Sequence, residues 1–120
     1  MRTVKENIYS VGALDFDARL FDRLIPLPDG TSYNSYLVKG SEKTALIDTV
    51  EPSKTEVLID NIVKSGVEDI DYIIANHAEQ DHSGSLGDIM MLYPKAKVIT
   101  NEKCKGMLID LLEIEAERFE

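Results

Sequence analysis

The sequence predicts an α/β fold, or a layered α+β arrangement, with a mixed sheet and helices packed on it. Three observations carry this. Apolar clusters alternate with turn signals along the chain, and their spacing switches between the period of two of a strand and the 3.6 of a helix. From Thr44 onward, strand-like and helix-like segments take turns, which favours parallel neighbours joined by helices. Earlier, the short link Gly40-Ser41-Glu42-Lys43 joins two strand patterns and predicts an antiparallel hairpin. With 120 residues, 43% of them apolar, the chain can build one domain with a core.

In chain order, Ile8 to Val11 reads as a strand ended by Gly12. Ala18 to Leu27 is ambiguous: Leu20, Phe21, Leu24 and Ile25 have helical spacing, yet a bent strand fits equally well. Pro26, Pro28, Asp29 and Gly30 form a turn. Ser32 to Val38 is a strand with Tyr33, Ser35 and Leu37 on one face and Asn34, Tyr36 and Val38 on the other. Thr44 to Thr49 returns beside it. A helix follows, announced by Ser53 and Glu56 in a capping-box pattern, with Leu58, Ile59, Ile62 and Val63 inward and Gly66 as its stop. Ile70 to Ala75 is another strand, and Tyr72-Ile73-Ile74-Ala75 within it is apolar without alternation, as in a strand covered on both sides.

The polar loop Asn76 to Gly84 comes next. Leu86, Ile89, Met90 and Tyr93 then repeat at helical spacing until Pro94. Lys97 to Thr100 is a short strand, and Asn101 caps a last helix expected to carry Cys104, Met107, Leu108, Leu111, Leu112 and Phe119 inward. Glu113, Glu115, Glu117 and Glu120 crowd that helix's end, where the dipole prefers cations. A frayed acidic end and a chain cut inside a longer element both remain open readings.

Composition narrows the function. A net charge of −9 opposes binding to nucleic acid or to an anionic membrane surface. No apolar run approaches a membrane span, and Met1 to Asn7 contains no signal-peptide core. A lone cysteine, Cys104, forms no internal disulfide, so a reducing cytoplasm is the expected location.

The chemistry concentrates in His77-Ala78-Glu79-Gln80-Asp81-His82, which holds both histidines of the chain with two carboxylates between them. The loop lies after a strand and before a helix, where open α/β sheets place their sites. His77, Glu79 and Asp81 alternate and can face one side, with His82 turning in from the helix start. Four such donors can serve two metal ions about 3.5–4 Å apart. The absence of thiolates excludes a structural zinc finger. Imidazole with carboxylate suits zinc, iron and manganese, and the residues alone leave iron and zinc open. Elsewhere, Cys104 reads as core, Ser83 and Ser85 as helix caps, and Tyr33 and Tyr36 as packing residues. Asp48 ends a strand, either in a turn or solvated, or holding the metal loop from a neighbouring strand end.

His77-x-Glu79-x-Asp81-His82-x-Gly84 resembles the metal motif of the flavodiiron proteins, or A-type flavoproteins, of the metallo-β-lactamase fold group. Hydrolases of that group carry a third His where this chain has Glu79. Gly30-Thr31-Ser32-Tyr33-Asn34-Ser35-Tyr36-Leu37, Leu46-Ile47-Asp48-Thr49-Val50, Asn76 and Ser83-Gly84-Ser85-Leu86 extend the likeness, from about Ile8 to Glu120. The resemblance implies that His77 and Glu79 bind one iron and Asp81 and His82 the other. It implies reduction of dioxygen to water or of nitric oxide to nitrous oxide. FMN in a following flavodoxin-like domain would feed the irons across a head-to-tail dimer, with a rubredoxin-like donor behind it.

Two further histidines and a bridging aspartate of that family have no counterpart in these 120 residues. The expectation is therefore a single partial domain, residues 1–120, forming the N-terminal half of a metallo-β-lactamase-type αββα sandwich. The sandwich's second half and the flavodoxin domain would be absent, and the chain alone would have little activity and a tendency to self-associate. Two competing readings are a zinc hydrolase of the same fold, against which Glu79 speaks, and a non-catalytic oligomerising or partner-binding fragment.

Overall fold

The computed structural model describes residues 1–21 and 23–120; Asp22, inside the ambiguous 18–27 stretch, lies outside them. In chain order the strands are β1 (Arg2–Lys5), β2 (Ile8–Ser10), β3 (Ala13–Asp15), β4 (Leu20–Phe21), β5 (Ile25–Pro26), β6 (Thr31–Tyr33), β7 (Tyr36–Lys39), β8 (Thr44–Ile47), β9 (Tyr72–Ile74) and β10 (Lys97–Ile99). The helices are α1 (Thr55–Lys64), α2 (Gln80–Ser83), α3 (Leu86–Leu92) and α4 (Glu102–Leu112), with 3-10 turns at Pro52–Lys54 and Ala116–Arg118.

One six-stranded sheet runs β1-β2-β7-β8-β9-β10. Its first four strands pair antiparallel, including the expected β7–β8 hairpin, whereas β8, β9 and β10 are parallel. In the parallel part Ile47 aligns with Ile74 and Ile74 with Ile99. The three strands therefore end together, and the residues after them open onto one edge of the sheet. Leu37, Leu46, Ile73 and Val98 are fully buried at its centre, with Leu58 and Ile62 of α1, Leu86 and Ile89 of α3, and Leu108 of α4.

The expected 32–38 strand is two strands in different sheets. β6 pairs with β3, and β7 joins the main sheet. Ser35 makes the break. It is fully buried, its carbonyl accepts from the amides of Val11 (2.9 Å) and Gly12 (3.2 Å), and its hydroxyl donates to the Asp48 carbonyl at 2.7 Å. A Cβ on Gly12 would lie 2.0 Å from the Tyr33 carbonyl oxygen, so this crossing needs glycine. The ambiguous segment contains β4 and β5, which pair antiparallel with each other, so these described residues are extended and not helical, as two short strands and not one bent strand.

Helix α1 differs from its expected start. Ser53 and Glu56 form no capping box; the Ser53 amide and hydroxyl donate to Glu51, and the chain enters through a 3-10 turn that opens with Pro52. Its buried stripe includes Asn61, whose amide donates to the Val11 (3.0 Å) and Gly12 (3.1 Å) carbonyls, while Val63 faces solvent.

Asn101 caps α4 as expected, accepting from the Cys104 amide at 2.8 Å. Cys104 and Leu108 are buried, but Met107 and Leu111 are exposed, and Phe119 reaches the core from outside the helix. The helix ends at Leu112 with Glu113 left-handed (φ 55) at the cap. The later glutamates therefore lie beyond the helix: Phe119 bridges Val98 in parallel, and the Glu120 amide donates to the Val98 carbonyl at 3.0 Å. Asn101→Ala is expected to cost about 1 kcal/mol of stability, read by urea unfolding. Among the described residues no helix is long and apolar enough to cross a membrane.

Candidate metal centre

The loop between β9 and α3 lies at the shared end of the parallel strands. The Ala75 amide donates to the Ile99 carbonyl (3.0 Å) and carries the chain off the sheet. Residues 80–83 then form the single turn α2, so His77 and Glu79 precede a helical turn that holds Asp81 and His82. This brings the four predicted donors together as two pairs. His77 Nε2 lies 3.4 Å from Glu79 Oε1, and His82 Nε2 lies 3.4 Å from Asp81 Oδ2. The two imidazole centroids are 5.4 Å apart. The first pair is exposed and the second more enclosed, with the Asp81 side chain 23% accessible.

The second pair is held from behind. Asp48, left-handed at φ 57 just after β8, accepts from the Asn76 amide (2.8 Å), from Asn76 Nδ2 (3.2 Å) and from His82 Nδ1 (3.0 Å). A carboxylate has no proton to give, so Nδ1 donates to Asp48, and Nε2 is the nitrogen left to meet a cation beside Asp81. Thr49 fixes the backbone: its amide (2.7 Å) and hydroxyl (2.8 Å) both donate to the His82 carbonyl. Ser83 and Ser85 do not act as caps. Ser83 donates to the Ala78 carbonyl at 2.6 Å, and Ser85 donates to the Val50 carbonyl at 3.0 Å. Each ties the loop to its surroundings.

These residues fit a bound cation. Asp81 Oδ1 is buried and has no hydrogen-bond partner, and a buried carboxylate oxygen is costly unless something positive meets it. The donor set of imidazole and carboxylate suits divalent transition metals. Among the described residues no three such side chains converge on one point, so each pair offers two ligands.

A cleft of about 480 Å³ adjoins the loop, its lining mixing the charged Arg23, Glu51 and Asp81 and the polar Tyr33 and Gln80 with Leu20, Phe21 and Leu27. Burial, then the charges of Asp15 and Glu51, push the Tyr33 phenol up to about 12. Tyr33 and Thr49 are absent from any metal-site reading of the sequence, because their partners lie far along the chain.

A mixed sheet whose parallel strands end on a His and carboxylate loop defines a metallo-β-lactamase-type domain. Residues 28–120 match the metallo-beta-lactamase superfamily, and the chain belongs to it. Within that superfamily the proteins it is similar to include flavodiiron proteins. It is 45% identical to flavo-diiron protein FprA2 of Clostridium acetobutylicum over 85% of this chain and 26% of the relative. It is 41% identical to the anaerobic nitric oxide reductase flavorubredoxin of Vibrio vulnificus over 82% of this chain and 20% of the relative. Rubredoxin oxygen:oxidoreductase of Desulfovibrio gigas superposes with a TM-score of 0.89 at 30% identity, over 98% of this chain and 29% of that one. The chain thus spans about a quarter or less of the curated relatives' length.

Proposed function

We propose that residues 1–120 form part of the metal-binding domain of a flavodiiron oxidoreductase that reduces dioxygen to water or nitric oxide to nitrous oxide. The observation that carries the reading is the pairing of His77 with Glu79 and of Asp81 with His82, with a buried, unpartnered oxygen on Asp81. His77 and Glu79 would hold one iron, and Asp81 and His82 the other. When bound, a di-iron centre supplies electrons and Lewis acidity to a diatomic ligand. The protein's own part is positional. Asp48 keeps a hydrogen of His82 on Nδ1, Thr49 fixes the backbone of that residue, and the adjoining cleft gives a small ligand access to Asp81.

Two ligands per ion make an incomplete set, so other ligands would come from sequence outside these 120 residues or from another copy. FMN in a flavodoxin-like domain, a rubredoxin-like donor, a homo-oligomer and a cytoplasmic location belong to the same proposal. The names of the flavodiiron relatives support it over a hydrolase.

Anaerobic titration with ferrous ion tests it. Two weak classes of site are expected, with His77→Ala removing one and His82→Ala the other. Unchanged binding in the double variant would refute the assignment.

A further inference from the structure

Outside the metal loop, the best-defined polar cluster is Tyr33 with Asp15 and Lys54. We propose that Tyr33 is a redox-active tyrosine, giving one electron to an oxidant in the adjoining cleft and its phenolic proton to Asp15. The inference rests on the dioxygen-reducing reading only for the natural oxidant, which is dioxygen that has received fewer than its four electrons.

The geometry supplies what such a step needs. Tyr33 ends β6 and Asp15 ends the paired strand β3. The phenol donates to Asp15 Oδ2 at 3.3 Å. The Asp15 side chain is 12% exposed, and its other oxygen is already engaged, accepting from the amides of Ala18 (3.0 Å) and Asp17 (3.2 Å) and lying 3.8 Å from Lys54 Nζ. Oδ2 is thus the oxygen left to receive a proton. The phenol also lines the cleft that contains Asp81, so it stands beside the proposed metal site without being a ligand.

The chemistry selects the coupled step. Removing an electron alone leaves a phenol radical cation, a very strong acid, in a half-buried position where new charge is costly. Removing the proton first is also unfavourable, since the phenol keeps it up to about pH 12. Losing both together avoids each state. Tyr33–OH becomes a neutral phenoxyl radical, Asp15 becomes a carboxylic acid, and the oxidant gains one electron. The protonated Asp15 then donates back to the phenoxyl oxygen and holds the proton for the return.

The test uses the metal-free chain, so its failure leaves the iron assignment standing, and loss of iron binding leaves this inference standing. Flash photo-oxidation with tris(bipyridyl)ruthenium(II) and persulfate is followed by freeze-quench electron paramagnetic resonance. The expected result is a neutral tyrosyl radical with an exchangeable proton coupling that vanishes in deuterium oxide. Most of that signal should be lost in Tyr33→Phe and kept in Tyr36→Phe, although Tyr36 is 37% exposed. Spin trapping and peptide mapping of the unaltered chain locate the radical independently of how any variant folds. A signal undiminished in Tyr33→Phe, or an adduct on another tyrosine, overturns the proposal.

Discussion

Asp48→Asn is expected to leave the fold intact and to weaken divalent-cation binding by about 10- to 100-fold. The substitution keeps the size of the side chain, and asparagine tolerates the left-handed backbone (φ 57) at this position. What changes is the direction of the hydrogen bonds. In the native chain both Asp48 oxygens accept, from the Asn76 amide, from Asn76 Nδ2 and from His82 Nδ1. An asparagine that still accepts from the Asn76 amide turns its own NH₂ toward the other two groups. It then meets Asn76 Nδ2 donor to donor, and it forces His82 to accept at Nδ1. The imidazole proton moves to Nε2, the nitrogen that faces Asp81 Oδ2 at 3.4 Å, and that nitrogen can no longer bind a metal. The same exchange of acceptor for donor disables the histidine of serine-protease triads. Cobalt(II) titration measures the affinity, and nitrogen-15 shifts of His82 report the tautomer. Full affinity with the proton still on Nδ1 would show that Asp48 does not set the histidine. Asp48→Ala should add about 1–3 kcal/mol of lost stability, because the Asn76 amide keeps no partner.

The prediction depends on a contact between residues that are 34 apart, and this separates what local pattern can and cannot convey. The four donors were legible because they are contiguous: two His and two acids in one loop are visible in any window. The strand–helix alternation after Thr44 was legible too, and with it the parallel β8-β9-β10 arrangement that puts the loop at the strand ends. The hold of Asp48 on His82 was only one of several readings of a strand-end acid. Choosing it requires the register in which Ile47 meets Ile74, a tertiary fact. The same holds for Thr49, whose partner is a carbonyl 33 residues on.

The split between β6 and β7 stayed hidden for a different reason. Ser32 to Val38 reads locally as one extended segment, and the polar pair Asn34-Ser35 inside it is too weak a signal to mark Ser35 as the point where the chain changes sheets. The misplaced apolar residues show the limit of periodicity. Val63, Met107 and Leu111 fit a helical stripe in spacing but face solvent, because the buried arc of each helix is narrower than the apolar one. In α1, Asn61 occupies part of the buried face, satisfied by two carbonyls of the Val11–Gly12 crossing.

Gly84→Ala is expected to cost both stability and metal binding, while the same change at two other glycines should stabilise. Gly84 closes α2 with ordinary helical angles (φ −57, ψ −32), so the backbone itself would accept alanine. The obstacle is space. The added Cβ would lie 2.4 Å from Pro52 Cδ, 2.9 Å from Pro52 Cγ and 2.5 Å from the Gln80 carbonyl oxygen. Pro52 is rigid and begins the turn that leads into α1, and the Gln80 carbonyl accepts the Gly84 amide at 2.9 Å, so neither yields without moving an element. Relief must come from lifting α2 away from Pro52, and α2 contains Asp81 and His82. Overpacking of this kind typically costs about 1–3 kcal/mol, and here it also displaces two proposed ligands. Gly87 in α3 and Gly106 in α4 meet nothing within 4 Å of an added Cβ. At those sites alanine removes backbone freedom from the unfolded chain and should add about 0.5–1 kcal/mol each. Urea midpoints for the three variants, with cobalt(II) affinity for each, separate the cases. A Gly84→Ala chain with unchanged stability and affinity would mean that the contact between the metal loop and Pro52 is not what holds α2 in place.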